Sequence, residues 1–446
     1  MSSYQTKKTP GDPAWFTHDR FGMFIHFGLY ALPARHEWVK SREEIADEDY
    51  QKYFDHFNPD LLDAREWARQ AKAAGMKYVV FTTKHHEGFC LWDSQYTDYK
   101  VTNTPYGKDL LKEVTDAFRA EGLRVGFYYS LIDWHHPDFT VDVLHPDRNR
   151  AEKAADNPNR DMKRYAQYMR DQVTELLTNY GDVDILWFDF SYTDERTQKK
   201  FAHLPTLCGK GKEDWEAEKL IATARALRPN ILIDNRTQLE QDIVTPEQVQ
   251  VSQWPTHPVT GEKVVWEACQ TFSGSWGYYR DEMSWKSPEV LLELLVQSVA
   301  NGGNLLMNVG PTARGYFDRR AEEALQVYTD WMKYNSRSIY GCTMAEPGLT
   351  APNGCYYTQS EDGKRLYLHL FRYPYKSLIL PGLGGKVEYA QFLHDGSEIL
   401  FEDNPPYYYN RPGAENIADT AEGSLFLTVP ELRPQFRVPV IEFFLK

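Results

Sequence analysis

The run Val183-Asp184-Ile185-Leu186-Trp187-Phe188-Asp189 is a short apolar stretch that stops abruptly at a carboxylate. Read as a strand, it sends Trp187 and Asp189 to one side and Phe188 to the other, because side chains alternate. In parallel, helix-covered sheets the catalytic groups sit at the C-terminal strand ends, which makes Asp189 the first residue to suspect of chemistry. Other polar residues fall at comparable points. Phe24 and His26 share a side of an earlier strand, His85-His86 follow a second, Tyr128 to Ser130 close a third, and Asp234, Asn235 and Arg236 close a fifth, with Glu247 next in the loop Thr245-Pro246-Glu247. His, Tyr, Trp, Asp, Arg and Glu gathered at one rim are an expensive arrangement unless a polar ligand sits among them.

Two carboxylates with aromatics and several His, and no cofactor motif, point to glycoside hydrolysis. One carboxylate attacks the anomeric carbon or activates water, and the other protonates the departing oxygen. A nucleophile must be ionised, and a cation such as Arg236 or a protonated His beside Asp189 favours that state. The acid must hold its proton near neutral pH, which desolvation in a loop-covered pocket would arrange for Glu247. Glu267, in Trp266-Glu267, is a further inward-facing carboxylate whose ordinary explanation is a structural ion pair. Glu37-Trp38 lies in a loop after the first strand, where a solvated Glu would be unremarkable in kind. Lone His residues near strand ends, among them His36, His135 and His136, are more often structural than catalytic. His85-His86 could suggest a metal, but adjacent strand residues point to opposite sides, and neither H-x-H nor H-E-x-x-H spacing is present. A metal-dependent hydrolase would use His26, His85 and His86 as ligands and is the alternative reading, together with a sugar-binding protein without turnover.

The elements that must position these groups repeat one theme. Apolar residues at Ala64, Trp67, Ala68, Ala71 and Ala74 follow helical spacing, Gly75 stops the helix, and Tyr78-Val79-Val80-Phe81 reads as a buried strand. The theme recurs from Leu110 through Gly122 to Val125–Tyr129, from Met162 through Gly181 to the opening strand, and from Trp215 to Ile231–Asp234. With Gly22–Phe27 and Asn304–Asn308 added, seven or eight strands over some 340 residues predict a (β/α)₈-like barrel with insertions, on a parallel sheet covered by helices. A doubly wound open sheet is the alternative arrangement, and against it no strand is followed by G-x-G-x-x-G or a phosphate loop. Beyond the helix around Ala321–Tyr334 the texture becomes short aromatic or alternating runs separated by Gly, Pro and Asn, which predicts an all-β sandwich. The boundary falls near residue 341, with a catalytic domain over 1–341 and the sandwich over 342–446.

Composition narrows the partners. In 446 residues, 64 acidic against 50 basic side chains leave a net charge of −14, which argues against nucleic acid or an anionic membrane surface. Aromatics make up 14% of the chain, and such faces pack well against sugars as well as filling cores. Five widely spaced cysteines, with no C-x-x-C pair, predict neither a zinc knuckle nor a disulfide framework. No apolar run resembles a signal core or a membrane helix, so a cytoplasmic location is the default expectation.

At this point the residues resemble the α-L-fucosidases of glycoside hydrolase family 29. The resemblance runs from Trp15 to about Gly341. It rests on ordered motifs: Phe21 to Gly28, Thr83-Lys84-His85-His86-Glu87-Gly88-Phe89 with Leu91-Trp92-Asp93, Tyr128-Tyr129-Ser130, Leu186 to Asp189, Asn235-Arg236, Ser275-Trp276-Gly277-Tyr278 and Asn301 to Pro311. It implies a retaining double displacement in a (β/α)₈-like barrel followed by a β-sandwich, with no metal and no other cofactor. By motif, Asp189 is the nucleophile and Glu247 the acid/base, with Glu267 and Glu240 in reserve because acid/base placement varies between branches. Fucose contacts carry over to His26, Glu37, Trp38, His85, His86, Tyr128, Trp187 and Arg236, with Phe24 and Trp276 as apolar walls suited to the C6 methyl of a 6-deoxy sugar. Phe190 stands where many members have Gly, which narrows the mouth beside the nucleophile. The implied partner is a fucosylated oligosaccharide or glycoconjugate, and a homo-oligomer enters as an option. A glycosidase for a related sugar such as galactose would share the fold without the methyl pocket.

Overall fold

Helices and buried strands alternate through the first 233 residues of the computed structural model, which describes residues 5–204, 206–403 and 423–446. Side-chain acceptors start four of the helices that pack on the sheet. Asp63 accepts from Arg65 N and Glu66 N ahead of Ala64–Ala73, Asp109 from Lys112 N ahead of Leu110–Ala120, Asp161 from Lys163 N ahead of Met162–Asn179, and Ser287 from Val290 N ahead of Pro288–Ala300. Gly75 (φ 84°) follows the first of these in the left-handed region that a Cβ disfavours, and turns the chain into the next strand.

Seven strands form one parallel sheet: β1 (Phe21–Ile25), β2 (Tyr78–Lys84), β3 (Arg124–Ser130), β4 (Ile185–Asp189), β5 (Leu232–Ile233), β6 (Glu267–Thr271) and β7 (Asn304–Val309), in the order β5-β4-β3-β2-β1-β7-β6. Almost every residue in them is buried, as expected of strands covered on both faces. The sheet curls. Phe24, Val80, Tyr128, Trp187, Cys269 and Leu306, from six strands, meet in one inner cluster, whereas Met23, Phe81, Phe127 and Phe188 pack outward under the helices.

Seven strands pair among the described residues, the lower of the seven or eight expected. Between the edge strands β5 and β6 runs the segment 242–248, which makes only isolated parallel bridges: Asp234 with Ile243, Val244 with Trp266, and Glu247 with Cys269. Pro246 has no N–H to give to a ladder, and Gln248 sits at φ 53°, so the extended run cannot continue. Strand β6 escapes sequence reading because Glu-Ala-Cys-Gln-Thr lacks the apolar run that marks the others.

Beyond the helix Arg319–Asn335, the strands are β8 (Cys342–Thr343), β9 (Cys355–Ser360), β10 (Arg365–Leu370), β11 (Ser377–Pro381), β12 (Val387–Phe392), β13 (Leu400–Asp403), β14 (Ser424–Thr428) and β15 (Val440–Leu445). They form two antiparallel sheets, β12-β15-β10-β9-β8 and β11-β14-β13, which share a core of Leu366, Leu368, Leu380, Leu425, Leu427 and Phe443. The part of the expected sandwich at 404–422 lies outside the described residues. These sheets are bonded to the helical part: Trp331 Nε1 donates to Val438 O at 3.1 Å, and Arg20 Nε to Cys342 O at 2.8 Å. No helix among the described residues is long and apolar enough to cross a membrane.

Candidate active site

The C-terminal ends of the parallel strands converge on a small pocket lined by Phe24, His26, Glu37, Trp38, His85, His86, Tyr128, Trp187, Asp189, Phe190, Glu247, Cys269 and Trp276. Strand β4 delivers Trp187 and Asp189 on the inner face, as alternation requires. Tyr128, two residues before the end of β3, reaches up to donate to Asp189 Oδ2 at 2.7 Å. From the turn after β5, Arg236 lies 4.8 Å above the Trp187 ring, and its Nε donates to Thr245 Oγ1 at 2.8 Å.

The two carboxylates meet at one nitrogen. Arg236 Nη1 lies 3.3 Å from Asp189 Oδ1 and 2.9 Å from Glu247 Oε2, so those two oxygens are at most 6.2 Å apart. Their surroundings differ. Asp189 is buried, and that desolvation pushes its carboxyl up to about 7; Arg236 and the Tyr128 hydroxyl oppose the rise, and the charge of Glu247 adds to it. Glu247 is not desolvated as expected: it stands on a loop with 40% of its side chain exposed. Burial works against the charge on Arg236, but Asp189, Cys269 and Glu247 together hold its pKa above the ordinary guanidinium value.

His85 and His86 both line the pocket, with ring centroids 4.0 Å apart, so the expectation that they point to opposite sides is corrected. Strand β2 ends at Lys84 and the chain turns, Gly88 N donating to His85 O at 3.0 Å, so strand alternation no longer applies. The ring tautomers follow from the network. The Ser130 hydroxyl donates to Ile132 O at 2.7 Å, so His86 Nδ1, 2.7 Å from Ser130 Oγ, carries the proton and Nε2 is left as an acceptor facing the pocket. Likewise His26 Nδ1 donates to Asn308 Oδ1 at 2.6 Å. Burial lowers the pKa of His26 to about 3 and that of His86 well below the imidazole range, so both rings are neutral.

Glu37 is 2% exposed rather than solvated. Its Oε2 accepts from Gly277 N at 2.9 Å and Trp276 N at 3.1 Å, fixing the loop that carries the Trp276 ring. A Cβ on Gly277 would come within 3.1 Å of Glu37 Cβ and 2.8 Å of the Tyr30 ring, so only glycine allows this approach. Burial pushes Glu37 up to about 7 against these hydrogen bonds. Its Oε1 has no hydrogen-bond partner among the described residues: His36 Nδ1, 3.1 Å away, already accepts the Trp38 N–H and has no proton to give. His85 Nδ1 and His86 Nε2 are buried and unpartnered in the same sense. Three such atoms around one pocket are what a hydroxyl-rich ligand would satisfy.

The reserve carboxylates lie elsewhere. Glu267 opens β6 at the opposite end of the sheet, accepts from the Tyr78 hydroxyl inside the inner core, and is pushed up to about 8 by burial. Glu240 is exposed and paired with Lys7 and His257 beside a separate hollow. Among the described residues no three His, Cys, Asp or Glu side chains group as a metal site requires. The structure adds Asn308, which holds both the His26 ring and, through Nδ2 at 2.6 Å, the Trp276 carbonyl. Its signal in the sequence is the one that marked Asp189, a polar residue at the end of an apolar strand.

Comparison with known proteins gives one consistent result. Residues 2–337 match the family model described as α-L-fucosidase. The chain is similar to α-L-fucosidase isoenzyme 1 from Paenibacillus thiaminolyticus, with 44% identity, a TM-score of 0.86, and 97% of this chain and 98% of that one covered. It is also similar to a family 29 α-L-fucosidase of Bacteroides thetaiotaomicron solved as a trapped covalent intermediate with 2-fluoro-fucosyl fluoride (29% identity, TM-score 0.78, 100% and 99% covered). A curated relative, the α-L-fucosidase of Dictyostelium discoideum, is 25% identical over 97% of this chain and 92% of its own length.

Proposed function

The chain belongs to the α-L-fucosidases of glycoside hydrolase family 29, and from that membership we propose a retaining, exo-acting hydrolysis of terminal α-L-fucosides. The observation that carries the stereochemical part is the shared contact at Arg236 Nη1. Held at most 6.2 Å apart by that nitrogen, Asp189 Oδ1 and Glu247 Oε2 are close enough to allow the roughly 5–5.5 Å carboxyl spacing of retaining pairs. The trapped covalent intermediate of the Bacteroides relative supports the same course.

In this reading Asp189 Oδ1 or Oδ2 attacks the anomeric carbon as the glycosidic bond breaks, and Glu247 gives its proton to the departing oxygen. Water then attacks the fucosyl ester, Glu247 takes its proton, and Asp189 leaves as carboxylate. Arg236 and Tyr128 favour the ionised Asp189 that the first step needs. Entry of the substrate covers Glu247, which supplies the desolvation that the open site lacks. His86 Nε2 and Glu37 Oε1 accept sugar hydroxyls, and Phe24, Trp187 and Trp276 offer the apolar surface that a C6 methyl fits. We read the sheet as a (β/α)₈-like barrel whose eighth position is taken by the segment 242–248, and 342–446 as an accessory β-sandwich domain.

Proton NMR of the first product released from an aryl α-L-fucoside tests this reading. Release of α-L-fucose is expected, with the β anomer appearing only by mutarotation. Initial β-fucose would overturn the retaining assignment, and a folded protein that cleaves no α-L-fucoside would overturn the activity.

A further inference from the structure

The residue after the nucleophile candidate adopts a backbone conformation that glycine takes freely and phenylalanine does not: Phe190 has φ 81°. Keeping a large ring on such a backbone calls for a reason. Its ring centroid lies 5.1 Å from Trp38, 5.2 Å from His86 and 5.6 Å from Tyr192, and the residue is only half-buried. A wide open groove lies outside the pocket, bounded by Gln238, Pro246, Val251 and Pro255. Phe190 and Glu247 are the two residues that line both the inner pocket and this groove. A fucoside cleaved here has its fucosyl half inside and its leaving half outside. The oxygen between them must lie beside Glu247 to receive its proton, which leaves Phe190 as the other wall of the opening.

Resting on the fucosidase reading above, we propose that Phe190 is a specificity-determining residue for the leaving group, a flat platform on which the departing sugar ring lays its C–H face while the glycosidic oxygen meets Glu247. A pyranose leaving group is the class such a wall selects, because an aromatic face pairs with axial C–H bonds while the ring's hydroxyls have the Asn235 amide of the groove to meet. If the ring only covered Trp38 and His86, its loss would weaken every donor alike.

Two donors separate these roles. α-L-Fucosyl fluoride has no leaving sugar; the second donor is whichever of the α-1,2-, α-1,3-, α-1,4- and α-1,6-linked fucosyl hexose disaccharides the wild type cleaves fastest. For the full-length Phe190→Ala and Phe190→Leu variants, kcat/KM on the disaccharide is expected to fall tenfold or more relative to that on the fluoride, chiefly through KM. Phe190→Trp should hold the ratio within threefold. An equal fall on both donors, an unchanged ratio, or a wild type that cleaves the fluoride but no disaccharide overturns the proposal. A wild type inactive on the fluoride itself would instead defeat the underlying fucosidase reading.

Discussion

Tyr128 and Asp189 are joined at 2.7 Å, a phenol on β3 donating to the carboxylate that ends β4. The pair explains how a buried acid near its midpoint at neutral pH can still be supplied as an anion, because the hydrogen bond favours the charged form. In Tyr128→Phe the donor is gone, so the Asp189 pKa rises and ionisation is lost at higher pH. The acid limb of kcat/KM against pH, measured on an aryl fucoside, should move upward by up to about one unit, the equivalent of roughly 1.4 kcal/mol. A limb that stays in place, or moves to lower pH, contradicts this coupling.

Removal of Glu247 should discriminate between leaving groups. Glu247→Ala is expected to lose about 10²–10⁴-fold on natural fucosides, where the departing oxygen needs a proton, and far less on a dinitrophenyl fucoside, where it does not. Equal losses on the two substrates would take the acid role away from Glu247.

Glu267 should matter to stability and not to turnover. Its folded pKa, about 8, lies above the unfolded carboxyl value. The protonated, Tyr78-bonded form therefore stabilises the fold fully below the unfolded pKa, and that stabilisation is lost as pH rises through about 8. Glu267→Gln mimics the neutral acid at every pH. The variant should gain on wild type between pH 5 and pH 8.5, by on the order of a few kcal/mol or several degrees in Tm, while cleaving natural fucosides at near wild-type rates. A stability difference that does not change with pH would show that Glu267 is ionised in the fold, and loss of turnover would restore it as an acid/base.

What could be read from the sequence divides by the range of the signal. Asp189 and Trp187 are legible because strand alternation and an abrupt end to an apolar run are local. The helices are legible from the spacing of their apolar residues and from closing glycines. Glu37 is not, because its burial depends on backbone N–H groups about 240 positions away, at Trp276 and Gly277. The shared orientation of His85 and His86 depends on a turn that begins at His85, straight after the strand. Strand β6 hides for want of hydrophobic contrast, and without it the bridging segment 242–248, which brings Glu247 to the rim, cannot be placed.

Asp189 is the residue whose carboxylate is expected to become bonded to sugar. Intact-mass analysis and peptide mapping after incubation with 2-deoxy-2-fluoro-α-L-fucosyl fluoride measure that bond directly. One 2-fluorofucosyl group per chain, on the peptide bearing Asp189 and absent from Asp189→Gly, is the predicted result. A label on another residue, or turnover of the wild type with no label accumulating in either the wild type or Glu247→Ala, would contradict it.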